Sequence, residues 1–227
     1  MLMPFLCEQA IIGPVGSERV IYACDIGSTR NRGKNAVPAF AWVRLNPNKG
    51  ISSLQGSSDI QQLVKTLKID IENRYSIALG FEAPLFIPVP DDTFNLSKAR
   101  YGEGARSFAS QMGLAVSALV VHQSAWILKR LCESTSGKCK FTLDPHCWPP
   151  SSHRPILFCW EAFVSEKAHS DQGIRDAASA VVFFFNNEQN LREISAVSAE
   201  NAVSLIGAVA FWNGWVSSLR YPLIAMP

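Results

Sequence analysis

Apolar and polar positions alternate along this chain between short strand-like runs and longer helical ones. Residues 19–26, RVIYACDI, form a β-prone apolar run that ends on an acid and then Gly27, which predicts a buried strand opening into a loop. Residues 36–45, AVPAFAWVRL, are a second such run, set off by a polar stretch before it and by Asn46 and Pro47 after it, so the pair reads as a hairpin. Residues 50–54 predict a short third strand that closes a meander. Ser58 or Asp59 can cap a helix whose apolar positions Ile60, Leu63, Val64, Leu67 and Ile71 share one face. Residues 76–81 read as a strand delivering Glu82, and the proline-rich stretch 84–90 reads as an exposed loop, because proline donates no ladder hydrogen bond. A long helix is predicted over 103–131, a polar loop insertion over about 133–154, and a fifth strand over 155–160 that delivers Glu161. Helical patterns follow over 171–185 and 198–215, with an extended tail at 221–225.

A meander followed by strands that alternate with helices predicts an α/β fold. The expected sheet is mixed and five-stranded, a three-stranded antiparallel meander plus parallel strands, with helices on both faces and an extra C-terminal helix. At 227 residues the chain is expected to form a single domain over 1–227.

Composition narrows the picture further. Hydrophobic residues make up 48% of the sequence and charged residues 18%, which excludes a disordered, charge-rich chain. The formal net charge of +2 neither demands nor excludes a nucleic-acid partner. Six scattered cysteines, several inside apolar runs, do not form a disulfide framework, and Cys139, His146 and Cys147 lack the paired spacing of a structural zinc site. The amino terminus shows no signal-peptide pattern, and the longest apolar segment, 112–128, is interrupted by His122 and Gln123. The expectation is a cytoplasmic protein with no membrane span.

Three acids occupy equivalent places. Asp25, Glu82 and Glu161 each end an apolar strand just before a loop, where open α/β sheets place their sites. Carboxylates brought together repel one another, so such a cluster is stable mainly when cations neutralise it, and hard oxygen ligands suit Mg²⁺ or Mn²⁺. Asp176 lies in the helical run IRDAASAVVFFF, whose small residues allow close approach to the sheet. Asp25, Glu82, Glu161 and Asp176 are therefore the expected metal-ligand set. Two ions about 3.5–4 Å apart would activate a water and stabilise the leaving oxygen of a phosphodiester.

The runs CDIGSTR, LGFEAP, FCWEAFVSEKAH and IRDAASA resemble the RNase H-like superfamily, specifically its Holliday-junction-resolvase (RuvC-like) branch and a related family of uncharacterised predicted nucleases. The resemblance implies that Asp25, Glu82 and Asp176 match the metal-binding acids of the branch, and that Glu161 matches the Glu after the fifth strand in the predicted nucleases. That branch carries a second acid or histidine one helical turn before the final Asp. Gly173 holds this place here, so Asp171, His169 or Glu161 would have to substitute. The run KARYGEGARSFASQMG resembles the Arg-rich start of the long helix in the same proteins and implies substrate-binding roles for Arg100 and Arg106. Arg30, just after the first acid, is the third expected phosphate contact.

These residues predict a metal-dependent nuclease acting on DNA or RNA, with a homodimer possible through the apolar C-terminal helix and its Trp212 and Trp215. Two rival readings stay open. Residues 25–29, DIGST, also resemble the first phosphate loop of the sugar-kinase and actin group, although 227 residues leave no room for a second lobe. A module that keeps the fold and binds nucleic acid or a protein without catalysis is the other.

Overall fold

A computed structural model describes residues 18–30, 39–103, 107–135, 137–148, 154–162, 173–195, 202–216 and 225–226. The first strand, β1 (Arg19–Asp25), is almost wholly buried, as its unbroken apolar run requires. β2 (Ala41–Leu45) returns antiparallel to it, and β3 (Gln55–Ser57) pairs antiparallel with β2. The third strand therefore falls after the predicted 50–54 segment, in which residues 51–53 form a tight 3-10 turn instead.

α1 (Ile60–Glu72) is capped by the Asp59 carboxylate, which accepts from the Gln61 amide at 2.7 Å. Such a cap contributes about 1 kcal/mol. The helix buries Leu63, Val64, Leu67 and Ile71 against the sheet. It also buries Asp70, which accepts two hydrogen bonds of 2.8 Å from Arg44 and a further one from the Tyr22 hydroxyl. α1 ends in a turn where Tyr75 N–H donates to Asp70 C=O and Arg74 N–H to Ile71 C=O. Arg74 sits at φ 62, the left-handed position that glycine usually fills at a helix end. A side chain there costs about 1–2 kcal/mol.

β4 (Ser76–Glu82) then runs parallel to β1. The proline-rich segment after it is more than an exposed loop. Leu85 and Phe86 are buried, and β5 (Phe86–Pro88) forms a two-stranded ribbon with β8 (Ala202–Ser204). The ribbon is an edge where proline is tolerated. α2 (Gln111–Thr135) starts and ends later than predicted. By length and composition it would pass for a membrane-crossing helix, as core helices of soluble proteins also do. Gln123 is buried on it and His122 is exposed.

The predicted insertion at 133–154 contributes β6 (Lys140–Thr142), which pairs parallel with β7 (Ile156–Ala162). β7 lies parallel to β4. α3 (Gly173–Asn187), α4 (Leu205–Trp212) and β9 (Ala225–Met226), parallel to β7, complete the described elements. The sheet order is β3-β2-β1-β4-β7-β6 with β9 beside β7, so the fold is α/β with a mixed sheet wider than the predicted five strands.

Period-two alternation divides the core between the two faces. Val20, Tyr22, Leu79, Leu157 and Cys159 pack with α1, α2 and α4 on one side. Ile21, Ala23, Ala78, Phe158 and Trp160 pack with α3 on the other. Gly80 belongs to this second face, where any side chain would overlap the Trp160 ring. Helices thus cover both faces.

Candidate functional site

Register decides which acids meet. Asp25 and Glu82 are paired residues on the parallel strands β1 and β4, and neighbouring strands lie about 4.8 Å apart. The next residue in their row is Ala162 on β7, because Glu82 pairs with Ala162 and Phe81 with Glu161. Residues in one row point to the same side of a sheet. Asp25 and Glu82 therefore share the α3 face, and Oε2 of Glu82 is shut off from solvent there.

α3 is fastened over that face at both ends. Beyond its carboxyl end, Glu188 accepts from Arg19 at 3.0 and 2.5 Å and from Trp148 Nε1 at 3.2 Å, which anchors it beside the start of β1. Its first residue, Gly173, lies against the Asp25 carboxylate so closely that any side chain would overlap it. Gly173, Asp176, Ala177, Ala180, Val181 and Phe184 follow helical spacing. All from Asp176 onward are buried, with Asp176 only 1% exposed. Asp176 is thus on the inward side of α3, one turn from the contact with Asp25, in the first turn where the helix dipole favours a carboxylate. The close approach leaves no room for a side chain at position 173, which the Asp25 carboxylate fills.

Glu161 does not join them. Its side chain is on the opposite face and 0% exposed, and its oxygens are bonded there. Oε2 accepts from the Leu85 amide at 2.8 Å, the Phe86 amide at 3.1 Å and Arg100 at 2.9 Å, and Oε1 accepts from Arg100 at 2.5 Å. Arg100 is buried as well. It also donates to Glu103 at 2.8 Å and to Phe86 C=O at 2.9 Å. Burial lifts the Glu161 carboxyl above its ordinary range, although Arg100 and the two amides pull the other way. On Arg100, burial opposes the charge, but Glu161 and Glu103 outweigh it and raise the guanidinium above its ordinary value. Glu161 and Arg100 form a clasp that holds the 84–103 segment to the end of β7. The sequence predicts a metal ligand at Glu161 and a substrate contact at Arg100; in the structure the two side chains bond each other.

Arg30 is exposed on the loop after Asp25, where Ser28 Oγ accepts from its amide at 3.3 Å. Arg106 lies outside the described residues, as do His169 and Asp171. Among the described residues, no three His, Cys, Asp or Glu side chains lie close enough to hold a metal ion. The donor types suit a hard divalent cation, but in placement the fit rests on the Asp25–Glu82 pair with Asp176 behind it.

One polar residue near the site escaped the sequence reading. Gln123 Nε2 donates to Gly27 C=O at 2.7 Å and ties α2 to the loop that follows Asp25, while its Oε1 is buried without a hydrogen-bond partner. A polar residue inside the apolar run of α2 was the available signal, since a buried polar group is more informative than an apolar one. No family model, no curated protein and no solved structure matches the chain.

Proposed function

We propose that this chain is a divalent-metal-dependent hydrolase of phosphodiester bonds, a nuclease on an RNase H-like fold, working in the cytoplasm. The observation that carries the reading is the pairing of Asp25 with Glu82 at the carboxyl ends of two central parallel strands, beneath a helix whose first turn buries Asp176. The strand order β3-β2-β1-β4-β7, a meander continued by two parallel strands, agrees with the mixed sheet that the sequence pattern predicts.

Asp25 and Glu82 would hold the cation, with Asp176 completing the carboxylate set from α3. Bound Mg²⁺ or Mn²⁺ supplies an activated water and offsets negative charge on the phosphate. Glu161 faces away and Gly173 replaces the second helix acid, so the donor set favours one tightly held ion over two. Gly173 keeps the helix close to Asp25. Arg30 stands exposed beside the site for a DNA or RNA backbone.

Calorimetric titration of Mn²⁺ into the wild type, Asp25→Asn and Glu82→Gln is the direct test, paired with cleavage of a panel of labelled oligonucleotides. The expected result is at least about a tenfold loss of Mn²⁺ affinity in each variant with the fold retained, and metal-dependent cleavage in the wild type alone. Equal Mn²⁺ binding by all three proteins would overturn the reading. It would leave a non-catalytic nucleic-acid-binding module as the second reading, in keeping with the lack, among the described residues, of three His, Cys, Asp or Glu side chains close enough to hold a metal ion.

A further inference from the structure

At the opposite edge of the sheet, where β4 and β7 begin, the ends of α1 and α2 border a cleft of about 580 Å³. Among the described residues, Arg74, Lys138 and Arg154 line it together with one carboxylate, Glu72. The seven residues of β4 separate it from Asp25 and Glu82 by about 20 Å. It is therefore independent of the carboxylate site.

Two observations give the cleft a purpose. The first is the backbone of Arg74. The turn that ends α1 requires the left-handed conformation and would be satisfied best by glycine, yet it carries a long cationic side chain at φ 62. The second is the state of the other cations. Lys138 is 4.0 Å from Glu72, with both side chains more than half exposed, so water screens the pair and an anion can displace it. Arg154 donates to the Gly137 carbonyl at 3.1 Å, which fixes its guanidinium at the rim. The helix carboxyl ends also draw cations. That attraction alone, however, does not require a side chain at a glycine position.

We propose that this cleft binds phosphate groups, either those of a small phosphorylated ligand or those of a nucleic-acid backbone. Guanidinium forks grip phosphate oxygens in pairs, and the volume suits a nucleotide-sized ligand.

The experiment uses metal-free buffer with EDTA and two probes, pyrophosphate by calorimetry and a fluorescent single-stranded oligonucleotide by anisotropy. The proteins are the wild type, Arg74→Gly, Lys138→Ala and Asp25→Asn. Arg74→Gly should melt at or above the wild-type temperature, because strain is relieved, and yet bind at least about tenfold more weakly. Lys138→Ala, which leaves the helix-end turn untouched, should also weaken binding. Asp25→Asn should bind as wild type, which separates this site from the proposed metal site.

Loss of pyrophosphate binding in the two cleft variants supports a small phosphorylated ligand. Loss confined to the oligonucleotide supports a backbone. Failure of the wild type to bind either probe, or unchanged binding of both by Arg74→Gly and Lys138→Ala, overturns the proposal.

Discussion

At the carboxyl end of the sheet, the two faces treat acids in opposite ways. On the α2 face, Glu161 is sealed from water and matched oxygen by oxygen with Arg100 and two backbone amides. On the α3 face, Asp25 and Glu82 stand in register on neighbouring strands, with Asp176 overhead and the first residue of α3 pressed against Asp25. A single buried carboxylate with a dedicated guanidinium is a device for holding a loop in place. Two carboxylates on adjacent strands repel one another when both are charged. One residue of register separates the two arrangements, since Glu161 pairs with Phe81 and not with Glu82.

The largest expected effect lies in the clasp. Arg100→Ala leaves Glu161 buried without its countercharge and should cost about 3–5 kcal/mol in chemical denaturation at neutral pH. Adding Glu161→Gln to that variant should recover part of the loss, because a neutral amide needs no counter-ion. The penalty should also depend on pH in a definite direction. Burial raises the Glu161 carboxyl in the folded state, and without Arg100 nothing of comparable strength opposes it. The folded protein then favours the protonated form, so stability is greatest below the ordinary carboxylate pKa and is lost as pH rises through the raised one. A penalty that grows on acidification would contradict this account of the clasp.

On the other face, Gly173→Ala probes how tightly α3 is seated. Helix propensity alone favours alanine by about 1 kcal/mol. Overlap with the Asp25 carboxylate should outweigh it and give a net loss of about 1–2 kcal/mol by thermal or chemical unfolding. A stabilised variant would show that α3 is not packed against Asp25, and the carboxylate site would lose its roof.

The contrast between the faces also explains what the sequence reveals and what it hides. The apolar run 19–26, the cap at Asp59 and the strand ending at Glu82 are local patterns, and β1, α1 and β4 form where those patterns predict. The places of Asp25 and Glu82 at strand ends and of Asp176 on the small-residue face of a helix are legible for the same reason. Glu161 has the same local grammar, but its direction depends on how β7 pairs with β4. A slip of one residue there exchanges the faces, and nothing within FCWEA fixes that choice. The pairing of Arg100 with Glu161 is hidden because the two are distant in sequence and Glu161 is supplied by another strand. The edge strands β5 and β6 are hidden likewise, since three-residue segments with proline or lysine acquire their structure only from β8 and β7.

The smallest effect is the most discriminating. Glu82→Gln in metal-free buffer should change stability by less than about 1 kcal/mol, and in the stabilising direction, because it removes one of two like charges on adjacent strands. Glu161→Gln, the same chemical change on the other face, should be clearly destabilising, because it takes from Arg100 a buried charged partner. Chemical denaturation of the two variants side by side measures the difference. If Glu82→Gln proves as costly as Glu161→Gln, then Glu82 is also committed to a structural pair, and the α3 face has no carboxylate to offer a cation. If Glu82 is instead dispensable to the fold, its place beside Asp25 calls for an explanation other than stability, and a bound divalent ion supplies one.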